Sequence, residues 1–300
     1  MILGIDTSNY TTSVALYDGK TIVMQKQLLE VEGRGLRQSD ALFAHTKQLP
    51  ILMEKLFEKP QKLDAVCVSA TPRNVQGSYM PCFLAGILSA TSISLASNIP
   101  LYKTAHQDGH IVAALYSANR LDLIGKEFIA FHISGGTTEC LYVSKGNPIS
   151  IDIIANTLDI NAGQLIDRIG VKNGLAFPCG KALTEVALTC KEKITPKVTF
   201  KGDNVHFSGA ENKANEYPFD KAARYVIEYV KTAIDQMTKN AIEKYGNLPL
   251  LYAGGVMSNI IIKEYIQNKY NGIFAEPIYS TDNAAGVAII GDILNKQAIL

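Results

Sequence analysis

The chain opens on Met1-Ile2-Leu3-Gly4-Ile5-Asp6-Thr7-Ser8-Asn9, a short apolar run that ends in a polar turn. Residues 12–17 then alternate along a second strand-like run. Asp18-Gly19-Lys20 has the composition of a tight turn and leads into a third run at 21–28. Alternation with a turn signal at this spacing is typical of antiparallel strands joined by hairpins. This stretch therefore predicts a three-stranded meander at the start of the fold.

The same order of elements occurs twice along the chain. After the meander, the apolar pattern predicts helices at 39–57 and 77–96 with a buried strand at 64–69 between them, which completes a β-β-β-α-β-α unit. A second copy starts at 127–134. Its further strands are predicted at 139–143, 149–154, 248–253 and 273–275. Its helices are predicted at 161–172, 181–189 and 219–245, from 258, and at 283–294. The repeat lies in element order rather than in residue identity.

Two facing units of this kind describe an α/β fold, the duplicated actin, hexokinase and Hsp70-like (ASKHA, RNase H-like) architecture. The helical pattern breaks at Ser117-Ala118-Asn119-Arg120, so we expect the domain boundary within 117–126. The predicted division is an N-terminal actin-like half, 1–118, and a C-terminal actin-like half, 119–300. In this architecture a nucleotide lies in a cleft between the halves.

Small-residue turns follow several of the predicted strands. They are Asp6-Thr7-Ser8, Ser134-Gly135-Gly136-Thr137 and Ala253-Gly254-Gly255-Val256. Small residues let backbone N–H groups approach phosphate oxygens, and helix N-termini add favourable dipoles. A single Gly-Gly pair is more often only a turn. Three such turns in a duplicated order favour a phosphate-binding role.

Composition limits the other function classes. The chain has 29 basic and 28 acidic residues, a formal net charge of +1, which argues against a generally basic nucleic-acid-coating surface and leaves room for a local patch. Five cysteines without a CxxC pair are typical of reduced thiols in a cytosolic protein. Neither a signal segment nor an uncharged run of membrane-spanning length is present, so we expect a cytoplasmic protein with no membrane partner.

His106-Gln107-Asp108-Gly109-His110 is the clearest metal-binding pattern in the chain. Residues four apart on a helix share a face, so both imidazoles could reach one ion. The motif of zinc proteases is incomplete here, because Gln107 occupies the place of the general-base Glu and Gly109 weakens a helix. Asp282 is an acidic candidate for a third ligand. Two unconnected histidines are the alternative reading.

The chain resembles the universal tRNA threonylcarbamoyl transferases, once described as O-sialoglycoprotein endopeptidases. The resemblance runs nearly end to end, and its motifs are specific in order and spacing. They are Leu3-Gly4-Ile5-Asp6-Thr7-Ser8, His106-Gln107-Asp108-Gly109-His110, Ser134-Gly135-Gly136, Ala162-Gly163-Gln164-Leu165-Ile166-Asp167-Arg168, Phe177-Pro178-Cys179-Gly180, Phe207-Ser208-Gly209, Ala253-Gly254-Gly255-Val256-Met257-Ser258-Asn259 and Ser280-Thr281-Asp282-Asn283-Ala284-Ala285.

This resemblance implies roles for individual residues. His106, His110 and Asp282 match the positions that hold one iron or zinc ion. An adenine nucleotide, threonylcarbamoyl-AMP or ATP, is held by the matching turns and by three single residues; together these are His132, Ile133, Ser134, Gly135, Gly136, Asp167, Gly180, Gly254, Gly255 and Asn259. From the residues alone, Asp167 is equally well a solvated helix residue and Asn259 a helix N-cap. No side chain is assigned as catalytic.

The implied reaction moves a threonylcarbamoyl group from an AMP mixed anhydride to the exocyclic amine of adenosine 37 in the tRNA anticodon loop. An adenylate-forming enzyme and accessory tRNA-modification proteins are the implied partners. The near-neutral charge predicts weak binding of tRNA by this chain alone, through a local basic face. Its candidate residues are Arg34, Arg37, Arg73 and Lys103.

The sequence departs from the family pattern mainly on the acceptor side. Asn9-Tyr10-Thr11 replaces an acidic first loop, Arg34–Ser39 replaces a glycine-rich stretch, Asp108 stands in place of Glu, and Thr137 in place of His. A divergent paralogue with a different carbamoyl acceptor is therefore one alternative, and a non-catalytic nucleotide-binding partner is a second. A metallopeptidase, suggested only by the two histidines, is a third.

Overall fold

The computed structural model describes residues 1–8, 10–30 and 37–299. The elements up to residue 156 are β1 (Ile2–Asp6), β2 (Thr11–Tyr17), β3 (Ile22–Leu28), α1 (Gln38–Leu56), β4 (Ala65–Thr71), α2 (Phe83–Ser97), β5 (Leu101–Ala105), α3 (His106–Ser117), β6 (Phe128–Ile133), β7 (Thr138–Lys145) and β8 (Ile149–Asn156). The later ones are α4 (Ala162–Lys172), α5 (Gly180–Thr189), β9 (Thr199–Lys201), β10 (Asn204–His206), α6 (Ser208–Ala214), α7 (Phe219–Tyr245), β11 (Leu250–Ala253), α8 (Ile260–Tyr270), β12 (Ile273–Phe274) and α9 (Ala285–Ile299).

Two compact units make up the chain. The first unit comprises Met1–Gly125, Lys145–Ser150 and Ile278–Leu300, and the second unit comprises Lys126–Ser144 and Ile151–Pro277. The predicted division at 118/119 assumed two continuous halves. The compact units differ from it because α9 packs on β1, β4 and α3, which brings the end of the chain into the first unit.

The first unit is built on a five-stranded sheet in the order β3-β2-β1-β4-β5. The first three strands form the predicted antiparallel meander, while β4 and β5 run parallel to β1. Both faces of the sheet are covered, because Gly4 faces the backbone of α9 and its neighbour Ile5 faces α2. Gly4 must be a glycine, since a Cβ there would lie 2.6 Å from the Ala288 nitrogen.

The second unit repeats this topology. Its sheet has the order β12-β11-β6-β7-β8, with β6 and β7 antiparallel and with β11 parallel to both β6 and β12. The long amphipathic helix α7 occupies the predicted residues 219–245 and lines the main core of this unit with alanine, valine and isoleucine. The predicted duplicated α/β fold is present in both units.

Two local features differ from the sequence-based prediction. Helix α2 begins at Phe83 rather than at residue 77, because Gly77 has a positive φ and Pro81 disfavours helical geometry at the residue before it. The hairpin β9–β10 and the helix α6 were not predicted, since they are short and largely polar. Within the described residues, no helix combines the length and the apolar character needed to cross a membrane.

Candidate functional site

The first candidate site lies where β5 passes directly into α3. His106 is the first residue of this helix and His110 follows one turn later, so the two rings share a face. Their Nε2 atoms are 2.9 Å apart. The Oδ1 atom of Asp282, in the turn before α9, lies 3.5 Å from His106 Nε2 and 3.3 Å from His110 Nε2. The structure thus brings the three predicted ligands together.

The orientation of His106 is fixed by the end of β1. Asp6 is 1 % exposed, and its Oδ2 lies 2.8 Å from His106 Nδ1. The hydroxyl of Ser8 is also 2.8 Å from this nitrogen. Burial lowers the pKa of His106, but the carboxylates of Asp6 and Asp282 outweigh that effect and raise the pKa to about 10. The two carboxylates therefore favour a positive charge at this place, which either a proton on His106 or a metal ion supplies.

Asp108, the acid inside the histidine motif, faces elsewhere. Its Oδ2 accepts hydrogen bonds from the Thr104 hydroxyl at 3.2 Å and from the Asn74 amide. Burial raises its pKa to about 6, although hydrogen bonds oppose that shift. Asp108 fastens the loop after β4 to the start of α3 and does not join the three candidate ligands.

Gly286 allows α9, the helix that follows Asp282, to pack closely against α3 at Gly109. A Cβ at Gly286, in the first turn of α9, would lie 1.9 Å from the carbonyl oxygen of Gly109. Only glycine at position 286 permits this approach of the two backbones. Gly109, which weakens the helix of the histidine motif, thus lies at the contact between α3 and α9. Helix α9 in turn follows the turn that carries Asp282.

The second candidate site is a pocket of about 670 Å³ in the second unit. Five of the residues predicted to bind nucleotide line it, namely Gly135, Asp167, Gly180, Gly255 and Asn259. The other five are not among its lining residues: His132 and Ile133 lie in β6, and Ser134, Gly136 and Gly254 lie in the turns after β6 and β11. Ser134 closes its own turn, because its hydroxyl accepts from the backbone N–H of Thr137 at 3.1 Å.

Asp167 and Asn259 have structural partners as well as a place in the pocket. The side-chain oxygen of Asn259 caps α8 by accepting from Ile261 and Ile262, and its amide donates to the Thr184 hydroxyl at 2.7 Å. Asp167 Oδ1 accepts from the backbone N–H of Cys179 at 2.8 Å, and burial raises the pKa of Asp167. The N-cap reading of Asn259 is thus correct and compatible with pocket lining.

The first turns of three helices contribute to this pocket. Gly163 belongs to α4, Gly180 and Lys181 to α5, and Ile260 to α8. Helix N-termini present unpaired N–H groups and a positive dipole end, which favour an anion. Some of these N–H groups are already bonded, that of Gly163 to Ser134 and those of Ile261 and Ile262 to Asn259. The dipole ends and Lys181 are therefore the features of the pocket that favour a phosphate group.

Residues 19–289 match the family model described as tRNA N6-adenosine threonylcarbamoyltransferase. The chain belongs to this family. Relatives that carry the same description include one from Mycoplasmopsis synoviae (strain 53), 28 % identical over 99 % of each chain. Another, from Thermotoga neapolitana, is 28 % identical over 99 % of this chain and 95 % of its own length. The protein is accordingly a transferase of the threonylcarbamoyladenosine-forming type.

Solved structures with low sequence identity share the fold. HypF from T. kodakarensis has a TM-score of 0.62 at 13 % identity, over 99 % of this chain and 47 % of that one. The ROK hexokinase from Thermus thermophilus has a TM-score of 0.52 at 13 % identity, over 99 % of both chains. The predicted actin/Hsp70-like architecture is confirmed by these neighbours together with the two mixed sheets.

Sequence reasoning missed the supporting groups of this family member. The sequence pattern predicted that Asp6 and Ser8 belong to a phosphate-binding turn, whereas their side chains contact His106. The signal that could have found them is the strand order, because the carboxyl ends of the parallel strands β1 and β5 meet at one edge of the sheet. Of the proposed basic face, Arg37 precedes α1, Arg73 follows β4 and Lys103 lies in β5, while Arg34 lies outside the described residues.

Proposed function

We propose that this protein transfers a threonylcarbamoyl group from threonylcarbamoyl-AMP to adenosine 37 of tRNA, with a metal ion and an adenine nucleotide as required components. The observation that carries the proposal is the convergence of His106 Nε2, His110 Nε2 and Asp282 Oδ1, whose ligand atoms all lie within 4.8 Å of one another. Family membership supplies the substrate class, tRNA, and the reaction type.

The donor set fits the proposed ion. Two imidazole nitrogens and one carboxylate oxygen suit iron or zinc, and three protein ligands leave positions open for substrate oxygens. Asp6 accepts from Nδ1–H of His106 and so keeps the Nε2 lone pair directed at His110 and Asp282, a support that metal-binding histidines commonly have. When bound, the metal supplies Lewis-acid polarisation of the carbamoyl or phosphate oxygens.

The pocket of the second unit is the proposed nucleotide site. Its volume of about 670 Å³ lies within the range of small-molecule sites. Gly135, Gly180 and Gly255 present backbone without a Cβ, which allows phosphate or ribose oxygens to approach. Because Oδ1 of Asp167 is used by Cys179, its other oxygen is the one that accepts from a ribose hydroxyl.

The reaction requires positioning more than side-chain chemistry. The adenosine amine attacks the carbamoyl carbon, the bond from that carbon to the phosphate oxygen breaks, AMP leaves and the amine loses one proton. The helix N-termini and glycine turns would hold the AMP portion, and Asp6 and Ser8 keep the imidazole of His106 in one orientation. We assign no nucleophilic side chain.

A reconstitution experiment tests this function. The purified protein is incubated with threonine, bicarbonate, ATP, the adenylate-forming enzyme, accessory tRNA-modification proteins and tRNA, and the tRNA nucleosides are analysed by mass spectrometry. Threonylcarbamoyladenosine should form with the wild type and not with His110→Ala. Consumption of threonylcarbamoyl-AMP without modified tRNA would instead support the paralogue with a different acceptor. Nucleotide binding without consumption would support the non-catalytic partner.

The metallopeptidase alternative has little support. Gln107 stands at the position where that chemistry needs a carboxylate base, and its backbone N–H is bonded to the Pro72 carbonyl at 3.1 Å. Asp108, the nearest acid in the chain, is held by Thr104 and Asn74. Cleavage of casein by the purified protein, abolished by a chelator, would be the evidence needed for a metallopeptidase.

A further inference from the structure

A row of polar side chains crosses the sheet of the first unit at one level. Lys26 of β3 is the register partner of Ser13 in β2, and Ser13 is the partner of Asp6 in β1. The row continues on the other side of β1. Ser69 of β4 follows the Ile5–Val68 pair and therefore lies beside Asp6, and Thr104 of β5 pairs with Ser69. We name these five residues the polar row.

Four members of the polar row contact His106 or the segments that carry the proposed ligands. Asp6 contacts His106, and Thr104 contacts Asp108 inside the histidine motif. The hydroxyl of Ser13 accepts from the backbone N–H of Ala284 at 3.0 Å. Lys26 Nζ donates to the Thr281 hydroxyl at 2.8 Å and to the Ile278 carbonyl at 3.2 Å. Four of the strands, β1, β2, β3 and β5, thus reach the ligand-bearing segments from the same face.

The segment that carries Asp282 is fastened from both sides. Lys26 binds the residue immediately before Asp282, and Ser13 binds the backbone two residues after it. Asn283 closes the turn itself, since its amide donates to the Tyr279 and Thr281 carbonyls. Asp282 therefore has little freedom to move relative to α3, although it lies in a turn rather than in a helix or strand.

Lys26 is unusual for a lysine in an edge strand. It is half-buried, and burial lowers its pKa while the nearby carboxylate of Asp282 opposes that shift. A half-buried ammonium group is costly unless hydrogen bonds and an opposite charge compensate it. Both of its hydrogen bonds go to the segment that carries Asp282. The same bonds therefore compensate the half-buried ammonium group and hold the Asp282 carboxylate in place.

We propose that Lys26 is a positioning residue of the metal centre, which holds the turn at Ile278 and Thr281 and so sets the place of Asp282 relative to His106 and His110. This inference rests on the metal site of the proposed function. Lys26 bonds to Ile278 and Thr281 rather than to one of the three proposed ligands, so it acts through the loop. Its neighbour in the row, Ser13, fixes the other end of the same turn.

The test compares Co²⁺ binding by Lys26→Met, Lys26→Arg and the wild type. Affinity is measured by competition with a chelator, and the visible absorption of the bound Co²⁺ reports ligand geometry. Lys20→Met is the matched control, because Lys20 is exposed in the turn between β2 and β3. Loss of an outer hydrogen-bond partner typically weakens metal binding by about 10- to 100-fold.

Lys26→Met should weaken Co²⁺ binding at least about tenfold and change the absorption spectrum. Lys26→Arg should recover most of both, and Lys20→Met should match the wild type. A Lys26→Met protein with wild-type affinity and spectrum would overturn the inference. If that variant fails to fold, Thr281→Val removes the exposed acceptor of the same bond and decides the question by the same two measurements. Absence of Co²⁺ binding by the wild type would contradict the proposed function instead.

Discussion

In the first unit the turn after β1 presents buried side chains, whereas in the second unit the turn after β6 presents the backbone of two glycines. Asp6, Thr7 and Ser8 are all buried, and Thr7 Oγ1 links Cys82 to Gly86 at the start of α2. Gly135 and Gly136, at the equivalent place, have open space where a Cβ would be. One duplicated topology thus carries two different arrangements, a cluster of carboxylates and imidazoles in the first unit and a pocket with four glycines in its lining in the second.

This contrast predicts where substitutions act. In the first unit the site depends on which side chains are present, so even isosteric changes should alter it. In the second unit it depends on the space beside the backbone, so added volume should matter more than altered charge. The predictions below test this difference in order of decreasing effect.

The largest effect is expected from His110→Ala. Removal of one of three protein ligands should lower metal affinity by at least about 100-fold, because the remaining pair cannot enclose the ion. Elemental analysis of the purified protein measures the metal content, and ATP titration serves as the control because the pocket residues are untouched. Full metal content in His110→Ala would remove His110 from the ligand set.

Gly255→Val should nearly abolish nucleotide binding and leave the fold intact. A Cβ at Gly255 meets no atom within 4 Å, so the added side chain projects into open space of the pocket without backbone strain. Calorimetric titration with ATP or AMP should show at least about a tenfold loss of affinity. Gly209→Val is the matched control, since its Cβ is equally unobstructed and Gly209 does not line the pocket.

Asp6→Asn and Asp167→Asn form a pair that compares the two units directly. Asp6→Asn should weaken metal binding by about 10- to 100-fold, because the neutral amide no longer fixes the tautomer of His106. Asp167→Asn should weaken nucleotide binding by less than that, since an amide oxygen still accepts from Cys179 and the glycine backbone remains. Equal losses in both variants would contradict the proposed contrast.

The smallest effect is expected from Ser69→Ala. The Ser69 hydroxyl is buried, and within the described residues it has no hydrogen-bond partner. Its removal should therefore leave the free energy of unfolding unchanged or raise it by about 1 kcal/mol, whereas Ser13→Ala should lower it by about 1 kcal/mol through loss of the bond from Ala284. Urea unfolding measures both. Weaker metal binding in Ser69→Ala would add its hydroxyl to the functional part of the polar row.

The sequence predicted the fold well because its strongest signals are local. The meander, the Gly-Gly turns and the long apolar period of α7 each depend on neighbouring residues, and each was placed within a few residues. The pairing of His106 with His110 also follows from helix spacing. Asp282 entered the ligand set chiefly through the family resemblance, because no local pattern connects it to α3.

What the sequence did not reveal depends on the order of strands in space. Asp6 reaches His106 only because β4 and β5 continue the sheet in parallel beyond β1, an order that residue patterns leave undetermined. No sequence pattern singles out Lys26. Its role follows from its register with Ser13 and from its hydrogen bond to Thr281. Likewise, the sequence does not distinguish the two glycines of the turn after β11, and it is Gly254 that has the positive φ, at 100°.

The close approach of Gly286 to Gly109 has a consequence for how the protein is made. During synthesis, β1–β5 and α3 emerge long before α9. His106 and His110 therefore lack the third proposed ligand, Asp282, until more than 160 further residues have been made. The sheet face that carries Gly4 stays uncovered during that interval. Metal loading should therefore be among the last events of maturation, and a nascent chain halted before residue 282 should expose that face to chaperones.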